Sequence, residues 1–333
     1  MPSLKRVNNK PMNNNCRCFP VTKRVSVINF KGGVGKTTVA FHLATGLSRF
    51  YDKRVLLVDV DHQSSLSLIC LDQTQWNEAS KQGNTVNSIF LHFTSPGVPL
   101  PGKKIVFDAP KTLYPKLDLL PSELQLDETE LDLGTSGMGD VVLSKWSKRM
   151  LIAKWLEKNK IDDDYDYIIF DCPPATKIVT QNALAVSHGY IVPAIPDEVS
   201  TRGIPHLITR MLPKINRDLV SLANYLRSNS QYVESTYIPE TSLIGIVIFR
   251  IRTHGPAASG YLTDHTAHLR FLQRTYGKLI IEPYIEEGIG VAESLRDGNP
   301  VYDSEDNYNV SNRGYVDVFK KITKECKRRI DAI

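Results

Sequence analysis

Residues 31–38 read KGGVGKTT, and their flanking segments make this stretch decisive for the fold. The run 25–30 is apolar enough for a buried strand, and 39–47 has the spacing of an amphipathic helix. A glycine-rich turn between a strand and a helix directs backbone N–H groups and the positive end of the helix toward one point. The stretch therefore predicts an anion-binding loop, and the alternative is an ordinary glycine-rich turn.

This loop also carries the side chains that phosphate chemistry requires. Lys36 is placed to reach the β- and γ-phosphates of a nucleotide, and the Thr37 hydroxyl is placed to ligate Mg²⁺. The usual phosphate-binding loop has a glycine where Phe30 stands, whereas a second lysine, Lys31, opens this one. ATP and Mg²⁺ are therefore the predicted cofactors. The predicted nucleotide-binding residues of the loop are Gly32, Gly33, Val34, Gly35, Lys36, Thr37 and Thr38.

Further apolar runs predict a parallel sheet, because continuous hydrophobic strands are typical of sheets covered on both faces. These runs are 54–61, 167–171, 189–194 and 243–249. Helical patterns at 150–160 and 203–212 alternate with them. This alternation predicts an α/β fold with a doubly wound, mostly parallel sheet flanked by helices. One more strand is predicted near 118–122, within the otherwise least regular segment, 72–145.

Three aspartates stand where these strands end, which is the edge at which such sheets bind ligands. Asp171 follows an apolar strand and precedes CPP, a placement that predicts an acid holding Mg²⁺; the alternative is a carboxylate that caps a turn. Asp59 and Asp61 share a face because they are two residues apart on a strand. A carboxylate there can orient an attacking water. Asp59 either supports the Mg²⁺ side or makes a structural hydrogen bond.

Composition sets wider bounds. The 333 residues are 41% hydrophobic and 23% charged, as in an ordinary globular protein. The net charge of +5 permits a nucleic-acid or membrane partner without favouring one. No apolar run approaches the length of about 20 residues that spans a bilayer, and the N-terminus lacks the core of a signal peptide. The scattered cysteines indicate thiols, so we expect a cytoplasmic protein. They are Cys16, Cys18, Cys70, Cys172 and Cys326.

The two ends of the chain differ from its middle. Residues 1–22 are basic and contain no acidic residue, which predicts a flexible arm too short for a helix-turn-helix domain. Residues 23–333 are predicted to form a single phosphate-loop domain. The segment 315–333 is a basic amphipathic helix that either docks on the core or lies on a membrane. Its predicted apolar face comprises Phe319, Ile322, Cys326, Ile330 and Ile333.

The loop, with Lys31 at its front, resembles that of the deviant phosphate-loop ATPases, and the chain as a whole resembles their ParA partition branch. The segments that carry the resemblance are 55–67, 117–133, 165–204 and 290–303. It implies a homodimer with ATP sandwiched between subunits. It also implies nonspecific DNA binding at the nucleoid and hydrolysis stimulated by a ParB-like centromere-binding protein. In that family the front lysine reaches the partner subunit's ATP and the second strand-end aspartate is catalytic. The resemblance thus implies Lys31, Lys36 and Asp61 as the catalytic set.

The resemblance assigns further positions and shows two departures. It implies that Pro283 packs near the adenine and that Asn182 lies near the nucleotide. Where the family has Pro after its catalytic aspartate, this chain has His62. The family's DNA-binding arginines are missing from 284–290, where the matching position is Gly290. Basic residues that cluster after the fifth strand are then the DNA-binding candidates: Arg250, Arg252, Arg270, Arg274 and Lys278.

Other functions stay open at this point. A MinD-like ATPase would bind membrane through 315–333, a cargo-positioning ATPase would carry something other than DNA, and a nucleotide switch would not hydrolyse ATP. MinD usually has a glycine where this chain has Phe30. That difference, together with the DCPP run at 171–174, favours the ParA interpretation, without a membrane partner.

Overall fold

The computed structural model describes residues 21–109, 114–137, 139–253 and 260–333. Its strands are β1 (Lys23–Val27), β2 (Val55–Asp59), β3 (Phe107–Asp108), β4 (Leu117–Leu120), β5 (Tyr167–Asp171), β6 (Gly189–Ala194), β7 (Ser242–Ile248) and β8 (Ile280–Ile281). They form one sheet in the order β3-β4-β2-β5-β1-β6-β7-β8. Only β3 is antiparallel to its neighbour among these strands. The predicted parallel sheet is confirmed.

Helices cover both faces of this sheet. They are α1 (Lys36–Tyr51), α2 (Ser65–Cys70), α3 (Gln73–Lys81), α4 (Asn87–Thr94), α5 (Leu126–Thr135), α6 (Val141–Ser147), α7 (Leu151–Asn159), α8 (Ile178–Val186), α9 (Glu198–His206), α10 (Leu212–Ser228), α11 (Thr263–Tyr276), α12 (Gly290–Arg296), α13 (Tyr308–Ser311) and α14 (Tyr315–Asp331). A π-helical turn, Leu207–Met211, joins α9 to α10. Short 3₁₀ turns lie at Lys103–Ile105, Ile161–Asp163, Gly277–Leu279 and Val301–Asp303.

Two hydrophobic layers lie on opposite faces of the sheet. Along β5, Ile168 and Phe170 belong to one layer and Ile169 to the other, since successive side chains on a strand alternate. The first layer includes residues of α4, α5, α7, α8 and α10, and the second is built around α1 and α14. Burial on both faces explains the continuous apolar runs from which the sequence predicted the strands.

The segment 72–145 contains more helix than its sequence pattern indicated. Asp72 caps α3 through a capping box with Gln75, yet Ala79 is the buried residue of that helix, so its apolar periodicity is weak. The acidic stretch that precedes Ser136 forms α5, in which Leu126 and Leu133 are buried. Short helices with narrow apolar faces are therefore what the sequence pattern missed.

The C-terminal segment docks on the core, as one of the two sequence interpretations held. Phe319, Ile322 and Ile330 of α14 are buried against the layer that contains α1. Ile333 was predicted on this face and is 40% exposed, because α14 ends at Asp331. Within the described ranges, no helix is long and apolar enough to cross a membrane. Cys16 and Cys18 lie outside the described residues, and the described cysteines remain thiols.

His42 ties the start of α1 to the C-terminal layer. Its Nδ1 lies 2.8 Å from the Thr38 carbonyl oxygen, and its Nε2 accepts a 3.1 Å hydrogen bond from the Val301 N–H. The imidazole also stacks on Phe319, with ring centroids 4.1 Å apart. Because Nε2 accepts, Nδ1 must donate, so the ring is neutral. Burial lowers the pKa of His42 to about 4.

This geometry predicts acid sensitivity with a defined sign. Below about pH 6.5 His42 is protonated in the unfolded chain but stays neutral in the folded chain. The free energy of unfolding therefore falls as the pH is lowered, until about pH 4. Relative to His42→Gln, the wild type should lose about 2 kcal/mol between pH 7.5 and pH 5. Urea unfolding of both proteins at the two pH values measures this difference. A difference that stays constant with pH would show that His42 is not the responsible group.

Candidate functional site

The loop 31–38 forms one wall of a cavity of about 760 Å³ at the carboxyl edge of the sheet. Gly35 caps α1 with a left-handed φ of 88°, and a Cβ there would lie 2.5 Å from the Phe249 ring, so this position requires glycine. Asp61, Pro174 and the segment 285–289 line the same cavity. The structure thus brings the loop and one predicted catalytic aspartate together.

The front of the loop is fastened to α9. The Phe30 ring packs against Gly203, where a Cβ would lie 2.3 Å from the ring. Lys31 Nζ forms an ion pair with Asp197, whose carboxylate also caps α9 by accepting a 2.9 Å hydrogen bond from the Ser200 N–H. Partial burial raises the pKa of Asp197, but the bonds from Lys31 and Ser200 outweigh it and hold that pKa below its usual range. In this structure Lys31 is therefore bound within its own chain.

Lys36 lies deeper in the loop and is only 7% exposed. Its Nζ donates a 3.2 Å hydrogen bond to the Lys31 carbonyl oxygen. Burial lowers the pKa of Lys36, whereas the charges of Asp171 and Asp61 raise it. A desolvated ammonium at the N-terminus of α1 is suited to bind an anion, because both the lysine and the helix dipole favour negative charge.

The predicted metal site is assembled from β5 and α1. Thr37 Oγ1 donates a 2.6 Å hydrogen bond to Asp171 Oδ2, while Asp171 Oδ1 is buried without a partner in the described part of the chain. Burial raises the pKa of Asp171 well above its usual value, and the charge of Asp59, its register neighbour on β2, raises it further. A buried carboxylate oxygen without a donor, beside a hydroxyl, fits a hard divalent cation such as Mg²⁺.

Asp59 is fully buried, and both its oxygens contact the turn that follows β2. Oδ1 accepts a 3.1 Å hydrogen bond from the Asp61 N–H, and Oδ2 accepts bonds of 2.9 and 2.7 Å from the Ser67 N–H and Oγ. Burial raises the pKa of Asp59 to about 7, against the lowering effect of the Ser67 bonds. These contacts favour the structural alternative for Asp59, and its role on the Mg²⁺ side stays a prediction.

Asp61 is presented to the cavity by that turn. It is 9% exposed, and its Oδ1 accepts a 3.0 Å hydrogen bond from the Gln63 N–H. The Ser64 N–H donates to the Asp61 carbonyl oxygen at 2.9 Å and closes the turn. Asp61 therefore stands in a rigid frame beside Lys36, which is the arrangement a water-orienting carboxylate needs.

Two of the predicted nucleotide contacts, Asn182 and Pro283, lie outside the lining of the loop cavity. Asn182 is fully buried on α8, where its Oδ1 accepts from the Leu151 and Ile152 N–H groups and its Nδ2 donates to two carbonyl oxygens. Its amide is thus committed to joining α7 and α8. Pro283 lines a separate groove beside Lys278, and the segment that follows it, 285–289, lines the loop cavity instead.

The DNA-binding candidates fall into two groups. Arg250 and Arg252 both pair with Glu287, at 2.5 and 2.6 Å, which lowers the pKa of that carboxyl group. Glu287 thus offsets one of the two positive charges, and Arg250 lines the loop cavity. The candidates Arg270, Arg274 and Lys278 have no carboxylate within 4.0 Å in the described ranges. A side chain at Gly290 would place its Cβ 2.5 Å from the Asn309 carbonyl oxygen, so the missing arginine could not stand there.

Two residues beside the loop, Asp197 and Phe249, were not predicted from the sequence. Asp197 follows β6 at the same edge as Asp61 and Asp171, so the strand-end rule that found those two aspartates could have found it. Phe249 has no polar signature. Its role, filling the space that Gly35 leaves, depends on the packing of β7 beside the loop.

Comparisons with known proteins show the family to which this chain belongs. A family model described as an AAA domain matches residues 22–221. The chromosome partitioning protein ParA of Caulobacter vibrioides is 26% identical over 279 residues, which cover 83% of this chain and 85% of the relative. The chain belongs to this AAA-domain family and is a ParA-type protein of the ParA–MinD superfamily.

Two solved structures share the fold. A complex of a Cyanothece McdA variant with ATP has a TM-score of 0.62 at 18% identity, covering 93% of this chain and 98% of that one. The cobyrinic acid a,c-diamide synthase of Mycobacterium smegmatis, with bound ATP analog and magnesium, has a TM-score of 0.53 at 23% identity, covering 80% and 85%. Since proteins with such different names share it, the fold alone does not decide the function.

Proposed function

We propose that this protein is a ParA-like ATPase that dimerises on ATP, binds DNA without sequence preference and hydrolyses ATP when a ParB-like protein stimulates it. The observation that carries the proposal is that Lys36 and Thr37 lie in one cavity with Asp61, beside Asp171. The ATP in the McdA complex, and the ATP analog and magnesium in the synthase, support these cofactors for the shared fold.

Each residue then has a stated task. The backbone N–H groups of 32–38 and Lys36 neutralise the phosphates, and Thr37 and Asp171 hold Mg²⁺. The bound metal supplies charge neutralisation for the transferred phosphoryl group. Asp61 accepts a hydrogen bond from the attacking water and orients it toward that group. Because Asp171 is buried beside Asp59, the charge of Lys36 offsets part of the carboxylate repulsion in this site.

Dimerisation is proposed to use Lys31. Its side chain is one-quarter exposed, and its ammonium group is bound to Asp197. In the ATP-bound dimer, Lys31 would leave Asp197 for the partner subunit's nucleotide. An ion pair that is partly solvated is weak enough for this exchange, since such pairs contribute about 1 kcal/mol or less.

The structure offers a surface for DNA that replaces the arginines missing from 284–290. A groove of about 1010 Å³ between the end of α11 and α14 is lined by the basic residues Lys278, Lys321, Lys324, Arg328 and Arg329 and by the acidic residues Glu282 and Glu325. None of the three lysines has a carboxylate within 4.0 Å among the described residues. Glu325 pairs with Arg328 and Arg329, so the three lysines are the residues proposed to contact a phosphate backbone, and nucleoid association would follow from that contact.

A salt series tests the DNA-binding step. With ATP present, binding to nonspecific duplex DNA should weaken steeply between about 50 and 200 mM salt. Lys321→Ala/Lys324→Ala should flatten the slope of log K against log salt by about 2, because each lost phosphate contact removes about one counterion. Lys103→Ala, at an exposed lysine that pairs with Asp164, serves as a control and should leave the slope unchanged. A shallow response in the wild type would remove the partition proposal and leave only the ATPase.

A membrane-binding role for α14 would require its apolar face to be exposed. The apolar side chains of α14 are buried against the core, so the helix would have to detach before it could enter a bilayer. We therefore propose no membrane partner.

A further inference from the structure

A groove of about 810 Å³ lies between α6, α8 and α10. It shares no lining residue with the loop cavity, although Pro174 lines that cavity and Thr176, two residues further on, lines the groove. The groove is therefore a separate surface that adjoins the segment after β5. Its apolar lining residues are Val142, Met211, Ile215, Leu219, Leu222 and Tyr225.

Most of these apolar side chains form a stripe along α10 and the π-helical turn before it. Ile215, Leu219 and Leu222 follow one another at spacings of four and three residues, and residues so spaced share a helix face. Leu219 is buried, whereas Tyr225 is 49% exposed. The stripe from Met211 to Tyr225 extends about 20 Å, since a helix rises about 1.5 Å per residue. A groove of this length accommodates three to four turns of a second helix.

The charged lining of the groove is mostly basic. Lys145, Arg149 and Lys214 contribute three positive charges, and Asp218 contributes one negative charge. In the described part of the chain, none of these three cations has a carboxylate within 4.0 Å. Burial lowers the pKa of the neighbouring Lys148, and the charges of Arg149 and Lys145 lower it further. Like charges therefore crowd at the end of α6.

Arg149 is the cation for which an anionic occupant would matter most. Its half-buried side chain is held by two hydrogen bonds, from Nε to Gln181 Oε1 at 2.7 Å and from Nη1 to the Lys145 carbonyl oxygen at 2.9 Å. Its Nη2 has no hydrogen-bond partner among the described residues. Burial lowers the pKa of Arg149, against the raising effect of the Asp218 charge. A carboxylate entering the groove would supply the partner that this guanidinium lacks.

We propose that this groove binds an amphipathic helix of another protein, whose apolar face packs on the stripe and whose acidic side chains pair with Lys145, Arg149 and Lys214. Charge complementarity favours an acidic partner. The apolar stripe favours a peptide over a nucleic acid, because phosphates gain nothing from apolar side chains. Helix surfaces line the groove and offer no strand edge, so the partner must satisfy its own backbone hydrogen bonds, as a helix does.

A designed peptide tests the groove. The probe is a fluorescein-labelled synthetic helix of about 18 residues, with leucines three and four residues apart on one face and glutamates beside them. We expect saturable binding to the nucleotide-free protein with a Kd below about 100 μM by fluorescence anisotropy, weakening as salt rises. The same peptide with lysine in place of each glutamate should not bind. Equal binding of both peptides, or binding of neither, would overturn the proposal.

Substitutions at exposed positions locate the binding. Lys145→Glu/Lys214→Glu should weaken binding of the glutamate peptide at least about tenfold, because attraction becomes repulsion. Tyr225→Ser should weaken it at least about fivefold through lost apolar contact. Lys81→Glu/Lys104→Glu, at two exposed lysines that do not line the groove, changes the net charge equally and should leave the affinity unchanged. Equal weakening by this control would show that the peptide responds to net charge, which would overturn the proposed site.

Other occupants are distinguished by the same variant. Self-association of the nucleotide-free protein that Lys145→Glu/Lys214→Glu abolishes would assign the groove to a second copy of this chain. Loss of duplex DNA binding in that variant, with no peptide binding by the wild type, would assign it to nucleic acid. Either result would overturn the proposal. Because the peptide assay contains no nucleotide, peptide binding without ATP turnover would refute only the proposed function, and turnover without peptide binding would refute only this inference.

Discussion

Asp61→Ala should lower ATP turnover by at least about 100-fold while leaving ATP binding intact, because the carboxylate acts on the attacking water and not on the nucleotide. The turn that carries Asp61 is held by Asp59 and by the Ser64 N–H, so the cavity should survive the change. Single-turnover phosphate release measures the chemical step, and a fluorescent ATP analogue measures binding. We expect phosphate release to fall strongly while the affinity for the ATP analogue stays unchanged.

Asp59→Asn tests the structural role of Asp59 separately from the proposed catalytic role of Asp61. Asp59 is buried, and its oxygens accept three hydrogen bonds, so this variant should lower Tm markedly. Asp61→Ala should change Tm little, because it removes one carboxylate from a crowded negative site. Turnover in Asp61→Ala within about threefold of wild type would show that the water is oriented by another group.

Lys31→Ala should abolish ATP-dependent dimerisation and lower turnover by about 100-fold or more, since one cation placed on developing phosphate charge is worth that much. The phosphate cradle of 32–38 and Lys36 does not depend on the Lys31 side chain, so the monomer should still bind ATP. Sedimentation velocity with and without ATP gives the oligomeric state, and the turnover assay gives the rate.

Asp197→Ala is the matched control for Lys31. It removes the carboxylate that holds Lys31 within its own chain, so it should leave dimerisation intact or strengthen it. Loss of the cap on α9 should lower Tm slightly, by an amount that corresponds to about 1 kcal/mol. Normal ATP-dependent dimers in Lys31→Ala would refute a role for this lysine across the interface.

Individual residues show which parts of the candidate site could be predicted from the sequence. The loop 31–38, Asp61 and Asp171 were predictable because strand ends, glycine spacing and carboxylate placement are local signals. Pro283 and Asn182 were assigned from resemblance and do not line the loop cavity, so their contacts with the nucleotide stay predictions. The basic surface of α14 was visible in the sequence, but its proximity to Lys278 was not, because some forty residues separate them.

The sequence by itself determined the central parallel strands, the phosphate-binding loop and the acids at its edge, because each follows from periodicity or spacing over a few residues. Only the tertiary structure decided that Lys31 rests on Asp197, that Arg250 and Arg252 share Glu287, and that His62 stands between two carboxylates. These are contacts between segments distant in the chain, or between side chains whose directions no pattern encodes. Their partners are fixed by how helices pack on the sheet, which is a property of the whole core.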